Sequence, residues 1–578
     1  LNGNLVSNGN INIKSKNDIN NSSTGGLNGG IVSNGGDIIL DTENDINNIG
    51  GQISGNNVNL SSAGNIIIES TLGLDDKGNQ IISDTSTISS SGDINITAKN
   101  NIDLKGAELK GGNNVNLSGK NVKIEDQNLI SSEAKYEYND YNNYKNDTSM
   151  SSKSSGSNVS GKNIDIDSQN NITIKGSSIA STDSNGNVSI KAKNNVDIVD
   201  TKEVSNQKSD SQKISNEKGL VTVKWKNSEK NSLISKGSVV GGNGKLNISA
   251  GKDVNLKGSD LIVGGNTNII AKNNINLVDG QSIINETSNE GRYQVLGGSN
   301  TSTTKYSKTS EGSSITGNGN ININAKNNLK IINGNIESNS DVIIEAGKDV
   351  IIEAGKNEYH ETTDTVGAGL YVDGTVGVGG VGLSGNANTI DMSANGEVSK
   401  NWAGDPNNKL DGSNEKTSTT SGKSHMDQLA NSEIGVKIEY KKSTTDETNW
   451  KESFIKSGNN ITIKAGGTAD IGGGNYSADE NISISADEVE TTKYEDTKKT
   501  ETTGVDIALK QSQGVTSSIA DTINKSIEMD NAIKSGEAND GIIAAQGIGT
   551  VTNIIFNDLI GVFSKQSANL SVENIKAN

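Results

Sequence analysis

The chain has 578 residues, of which 30% are apolar and 3% aromatic; it carries a net charge of −18, 68 glycines, one proline and no cysteine. That is too little apolar material for a compact globule of this length, and the charge disfavours nucleic acid and anionic membrane surfaces as electrostatic partners. Without cysteine, disulfide staples and thiolate chemistry are excluded.

Residues 1–126 read as nearly continuous copies of one unit. An apolar-x-apolar pair is followed by a small residue, two or three polar residues and a second pair, as in Ile94-x-Ile96-x-Ala98 and Ile102-x-Leu104. The unit returns in 161–198 (Val188/Ile190/Ala192, Val196/Ile198), 244–278 (Leu246/Ile248/Ala250, Val254/Leu256) and 319–354 (Ile321/Ile323/Ala325, Leu329/Ile331; Val342/Ile344/Ala346, Val350/Ile352), and coils return in 459–503. Within a unit the two pairs start eight residues apart. Successive units start 20 or 21 apart: Ile38 to Val58, Ile94 to Val115, Leu246 to Thr267, Ile321 to Val342, Ile461 to Ile482. Alternation within each pair means strand. So short a strand pair cannot bury its apolar face alone, and successive units must stack. A propeller blade needs roughly twice this period, and no helix or fixed Leu/Asn pattern marks a leucine-rich repeat. The spacing therefore predicts an all-β parallel β-helix, with one coil per 20–21 residues. About 12–16 coils climbing ~4.8 Å each give a rod on the order of 60–80 Å long.

The corners fit that reading. Alanine recurs after the first strand (Ala98, Ala192, Ala271, Ala325, Ala346), and Lys-Asn-Asn often follows, as at Lys99–Asn101 and Lys272–Asn274. Asn turns the chain cheaply, and stacked amides can form ladders along the axis. Gly precedes many coils, as at Gly92 and Gly244, and the single proline, Pro406, lies outside them. Regular alternation argues against the disorder that so much Gly, Asn and Ser would otherwise suggest.

Four breaks interrupt the coils, at 127–160, 199–243, 279–318 and 355–458. The first carries Tyr136, Tyr138, Tyr141 and Tyr144; the second holds the alternating strand Val221-x-Val223-x-Trp225. The largest holds a Gly-alternating stretch, Val366 to Gly385, with Asp373-Gly374 as an expected hairpin turn, and a strand at Ile434/Val436/Ile438/Tyr440. All four are read as β-hairpins projecting from the rod. Over 504–578 the period becomes helical: Ile519, Ile523 and Ile527 share a face between a Ser518 cap and a Gly536 stop, and Ile548, Val551, Ile555, Leu559 and Val562 form a second stripe. This predicts a helical cap or linker. Gln546, Asn553, Asn557 and Asp558 argue against a membrane span over 542–563.

The segments GDINITAKNNIDLKGAEL, GKLNISAGKDVNLKGSDLIVGGNTNIIAKNNINL and SDVIIEAGKDVIIEAG resemble the haemagglutinin repeats of filamentous-haemagglutinin-like exoproteins, over most of 1–500. That group includes the contact-dependent growth inhibition effectors exported by two-partner secretion. The resemblance implies a right-handed β-helix on the outer surface of a Gram-negative bacterium. The insertion-rich pattern is more similar to the second repeat block of the inhibition effectors, which is implicated in carrying a C-terminal toxin across the target's outer membrane. The implied partners are an outer-membrane transporter of the two-partner type, and a target-cell receptor or outer membrane; no nucleic acid and no small-molecule substrate are implied. The alternative is an adhesin that binds surface ligands through its hairpins. The chain starts at Leu1 without a signal peptide and shows neither a secretion domain nor a toxin-like domain, so it is expected to be a piece of something longer. Val572-Glu573-Asn574-Ile575 departs from the V-E-N-N pretoxin motif in its last residue and its position.

Catalytic chemistry is sought and not found. His360 and His425 lie 65 residues apart without a ligand-spaced partner and read as surface histidines. Gly241-Gly242-Asn243-Gly244 is followed by Lys245-Leu246 where a calcium-binding nonapeptide needs Asp, and the Gly-rich run 367–385 lacks the phosphate-loop form. Polysaccharide cleavage needs convergent carboxylates, whereas Asp103, Asp165, Asp167 and Asp197 face outward by alternation, and Trp225, Trp402 and Trp450 all fall in breaks. No catalytic, cofactor-binding or metal residue is assigned, no cofactor is expected, and the chain is expected not to be an enzyme.

Overall fold

A computed structural model describes residues 3–23, 29–140, 143–217, 220–294, 297–373, 376–378, 381–383, 433–511 and 570–577. Three parallel sheets of 13 strands each form the faces of a right-handed parallel β-helix of 13 coils. At ~4.8 Å per coil the rod is about 60 Å long. The spacings of 20 and 21 residues are the stacking register itself: Ile38 lies on Val58, Ile94 on Val115, Leu246 on Thr267, Ile321 on Val342 and Ile461 on Ile482.

Each coil contains three strands, one more than the two apolar pairs announce. Strands of the second and third faces bury two aliphatic side chains each, as Ile94 and Ile96, then Ile102 and Leu104. Most first-face strands bury one: Ile88, Leu109, Val159, Ile179 and Val240 stack as a single file. These side chains make one continuous core along the axis. At its N-terminal end the core takes in two amides: Asn21 donates to Asn48 (2.7 Å), which donates to Ser86 (2.7 Å).

Polar ladders run outside the core. Asn114 donates to Asp93 and Asn163 to Asn114, each at 3.0 Å. At the corner between third and first faces the ladder is serine: the backbone N–H groups of Ser157 and Ser238 donate to the hydroxyls of Ser177 (3.1 Å) and Ser259 (3.0 Å). The buried hydroxyls of Ser157, Ser177, Ser238 and Ser259 each accept from a backbone N–H on an adjacent coil, so the tight corner meets its polarity locally.

The insertions all leave from that third-to-first corner. A hairpin emerges after every second coil, and the intervening corners turn tightly through a left-handed residue: Gly106 (φ 57°), Gly176 (φ 55°), Gly258 (φ 51°) and Asn333 (φ 48°). The breaks pair as Gln127–Asp140 with Asn143–Ser155, Thr201–Glu217 with Leu220–Lys236, Gly280–Gln294 with Gly297–Glu311, and Gly355–Asp373 with Glu433–Lys451.

Four expectations need correction. The span 1–126 is not uninterrupted coil: a short hairpin, Thr71–Leu74 with Gln80–Asp84, leaves the same corner two coils before the first long one. Asp373-Gly374 does not turn the fourth hairpin, because Asp373 pairs with Glu433, 60 residues further on, and Val366 with Tyr440, 74 further on. The coils stop at the strand Glu488–Glu490, short of 503. The strand Thr497–Gln511 crosses position 504, and Leu570–Ala577 pairs with it, so both ends of 504–578 are strand rather than helix. The helical stripes at 519–527 and 548–562 lie outside the described residues.

Candidate binding surface

The hairpins do not project singly. They join edge to edge with the strands Thr497–Gln511 and Leu570–Ala577 into one ten-stranded antiparallel sheet alongside the rod. Geometry makes this possible. Two coils advance about 9.6 Å along the axis, and a two-stranded hairpin is just as wide, so hairpins on every second coil meet at ladder distance. The second hairpin pairs with the third from Thr222↔Gln294 to Leu233↔Ile283, and the third with the fourth from Gly297↔Gly369 to Lys308↔Glu358.

Most of the sheet is polar on both faces. One face carries threonine pairs across strands, Thr301 with Thr365 and Thr303 with Thr363 (3.3 Å each), beside ion pairs Lys230–Glu286 (2.6 Å), Lys305–Glu361 (3.2 Å) and Lys226–Glu290 (3.3 Å). Exposed pairs of this kind contribute ~0–1 kcal/mol apiece, so their main effect is on register. The other face carries an aromatic row: Tyr138, Tyr144, Gln212, Trp225, Gly291, Asn300, Val366 and Tyr440 lie side by side on successive strands. The Trp225 ring covers Gly291, where a Cβ would come within 2.1 Å of it. Tyr144 sits 3.5 Å from Asp210; burial first, and that carboxylate second, raise its hydroxyl above the ordinary tyrosine range. A cleft of about 750 Å³ opens near Tyr144, Lys145, Lys213 and Trp225.

The described residues singled out in the sequence disperse over this sheet and the rod. Tyr136 and Tyr138 are exposed at 60% and 70% on its outermost strand. His360 lies mid-strand, its Nδ1 at 2.5 Å from Asp446 Oδ1 on the adjacent strand and its Nε2 at 3.2 Å from Thr362. Trp450 packs near the rod, edge-on to Tyr494 at 4.9 Å, with Lys356 Nζ 6.0 Å from its centroid. Tyr141, Trp402 and His425 lie outside the described residues. Gly241 is a coil position, where a Cβ would strike the Ile262 carbonyl at 1.8 Å. Asp103, Asp165, Asp167 and Asp197 are spread along the rod's outer faces; burial raises Asp103 despite nearby Lys123. Among the described residues, no group of three or more His, Asp or Glu side chains is placed to hold a metal, and no helix is long and apolar enough to cross a membrane.

Comparison with known proteins agrees with the architecture. The family model described as hemagglutinin repeat matches residues 75–141, 221–296 and 294–427. These stretches take in the short hairpin's turn and much of the first, second, third and fourth hairpins, so the match falls on the insertions as well as on the coils. No curated protein and no solved structure matches. Repeats of this family mark secreted or cell-surface exoproteins.

Proposed function

Taking the chain as a filamentous-haemagglutinin-like protein, we propose that it is a non-catalytic presentation segment: the rod sets reach, and the composite sheet is the surface that meets a target cell. In this reading the chain travels through a two-partner outer-membrane transporter to the outer surface of a Gram-negative bacterium. There it helps deliver a C-terminal toxin to target bacteria in contact-dependent competition. The observation that carries the proposal is the tiling of the hairpins. Exit from one corner every second coil turns scattered insertions into one long surface held at a fixed distance from a stiff axis.

A second reading, an adhesin, draws on the aromatic row. Tyr136, Tyr138 and Tyr440 offer amphipathic rings to solvent, the kind of side chain that anchors binding interfaces. Among the described residues most of the sheet's outward side chains are Ser, Thr, Asn, Lys and Glu, which suits contact with a hydrated surface.

The deciding experiment exposes target bacteria and host cells to the purified chain, adds protease outside, and fractionates. Fragments protected in the target outer membrane support delivery. Chain that is bound but fully cleaved supports adhesion, and deletion of the first hairpin (127–155) should then abolish binding while the coils persist. Release of reducing ends from mixed polysaccharides would overturn the non-catalytic proposal.

A further inference from the structure

The outermost strand of the composite sheet, Gln127–Asp140, is paired on one side only. Its base is held from outside by the short hairpin. Asn79 Oδ1 accepts from the Ser132 N–H and Gln80 Oε1 from the Ile130 N–H, each at 3.0 Å, and the Ser131 hydroxyl donates to Asn79 at 2.8 Å. These bonds show that residues 130 and 132 direct their N–H groups away from the inner neighbour. By strand alternation Ala134, Tyr136 and Tyr138 do the same. Among the described residues, nothing pairs with those three.

The short hairpin explains the vacancy. It holds the next place in the two-coil series, but its arms are 4 and 5 residues long against 13 to 19 in the others. It covers the base of the edge strand and leaves the tip half as an open edge. An open edge of this kind is a template for another chain.

The edge is complementary to itself. When Glu133-Ala134-Lys135-Tyr136-Glu137-Tyr138 is run antiparallel against its own copy about Tyr136, Tyr136 meets Tyr136 and Ala134 meets Tyr138. All are outward-facing positions, which gives about six backbone hydrogen bonds. On the opposite face Lys135 meets Glu137 twice. Within one chain these two side chains already pair at 2.6 Å, and both are exposed, at 64% and 53%. A run of one charge sign would repel its copy; this alternating run does not. The overlap ends where Asn79 holds Ser132, so the short hairpin also fixes the register.

We infer that two copies of this chain pair through Ala134–Tyr138, joining their composite sheets into one and leaving the two rods on opposite sides of it. The inference goes beyond the presentation role and stands whether the sheet delivers or adheres.

The test is sedimentation velocity on the full chain over a concentration series. Wild type should dimerise. Lys135→Glu and Glu137→Lys should each raise the dissociation constant by about ten- to a hundredfold, since two favourable cross-strand contacts become repulsive. Mixing the two variants should restore dimers, because each then supplies the charge the other needs; the double swap in one chain should also dimerise. Tyr136→Pro should abolish pairing while leaving the inner ladder to Asn143–Ser155 protected in hydrogen exchange, because that N–H points outward. Wild type that stays monomeric throughout, or a dimer that neither single variant weakens, overturns the inference. So does a monomer whose target-cell binding is lost with Tyr136→Pro, which would assign the edge to a foreign strand.

Discussion

If the composite sheet exists because hairpins recur every two coils, removing one coil should break it without breaking the rod. Leu246 stacks directly on Thr267, so deletion of residues 246–266 removes one whole coil and rejoins the chain in register. The second and third hairpins then leave corners about 4.8 Å apart along the axis, where a two-stranded hairpin needs about 9.6 Å. The misfit is one full strand width, which strand twist cannot absorb. The contact at risk is the ladder of twelve register pairs from Thr222↔Gln294 to Leu233↔Ile283. At roughly one bond per pair and ~0.5–1.5 kcal/mol net per bond, about 6–18 kcal/mol is lost. Hydrogen exchange read by mass spectrometry should show residues 222–233 and 283–294 losing protection, with the coil strands Ile321–Ala325 and Val342–Ala346 unchanged. Deletion of 246–320 is the matched control: Ile321 stacks on Thr267 as Thr267 does on Leu246, so two coils leave together with the third hairpin. The fourth hairpin then takes the vacated place, and protection of 222–233 should return. Undiminished protection in the one-coil deletion would refute the argument that coil pitch assembles the sheet.

Other consequences follow from individual side chains. Ile323 is fully buried in the core file, so Ile323→Ala should cost about 2–5 kcal/mol and raise exchange locally rather than melt the whole rod, because stability in a solenoid is largely nearest-neighbour. Asn48→Ala removes the acceptor of Asn21 and the donor to Ser86 inside the core; loss of about 1–3 kcal/mol is expected, read in the denaturant midpoint of the first coils. Tyr359 is pushed up to about 12 by burial and by its hydroxyl bond to Glu361, whose carboxyl that same bond, with Lys305, holds low. A folded pKa above the ordinary value near 10 means the contribution is intact below about pH 10 and lost as pH rises towards 12. Thermal melts should therefore fall more steeply over that window in wild type than in Tyr359→Phe; parallel curves would remove Tyr359 as the cause.

The rod was legible in the sequence because its core imposes two signals at once, alternation within a strand and a coil-length period between strands. The first-face strand escaped because it mostly buries a single aliphatic, as in Thr87-Ile88-Ser89-Ser90, and one apolar residue among Ser and Gly shows no alternation. The hairpins were legible as breaks, but not their union. Apart from short apolar stretches such as Val221 to Val223, their strands are polar on both faces, so Ser, Thr, Lys and Glu give no pairing pattern, and the partners of Val366 and its neighbours are set by which corner a hairpin leaves rather than by the local sequence. A signal for the two-coil rule was present. Lys105-Gly106-Ala107, Lys175-Gly176-Ser177 and Lys257-Gly258-Ser259 mark corners that turn tightly, and Asp126 and Asp200 stand where the chain leaves instead. The short hairpin carries neither the length nor the aromatics of its successors, and so passed as coil.

The same arithmetic bears on how such a surface varies. The unit that preserves both rod and sheet is two coils with one hairpin: Ile164 to Leu246 is 82 residues, Leu246 to Ile321 is 75 and Ile321 to Ile461 is 140, yet each spans two coils in unbroken register. All the difference lies outside the coils, in the insertions and the turns between strands. The coils are constrained by a core in which each side chain touches its neighbours above and below, so substitutions there are felt at once. The hairpin arms are constrained only by pitch and by weak cross-strand pairs, so their outward residues can change with little cost to the fold. The proposed target-facing role would draw on that freedom, and the corner that launches the hairpins is where this architecture separates the changeable part from the part that must not change.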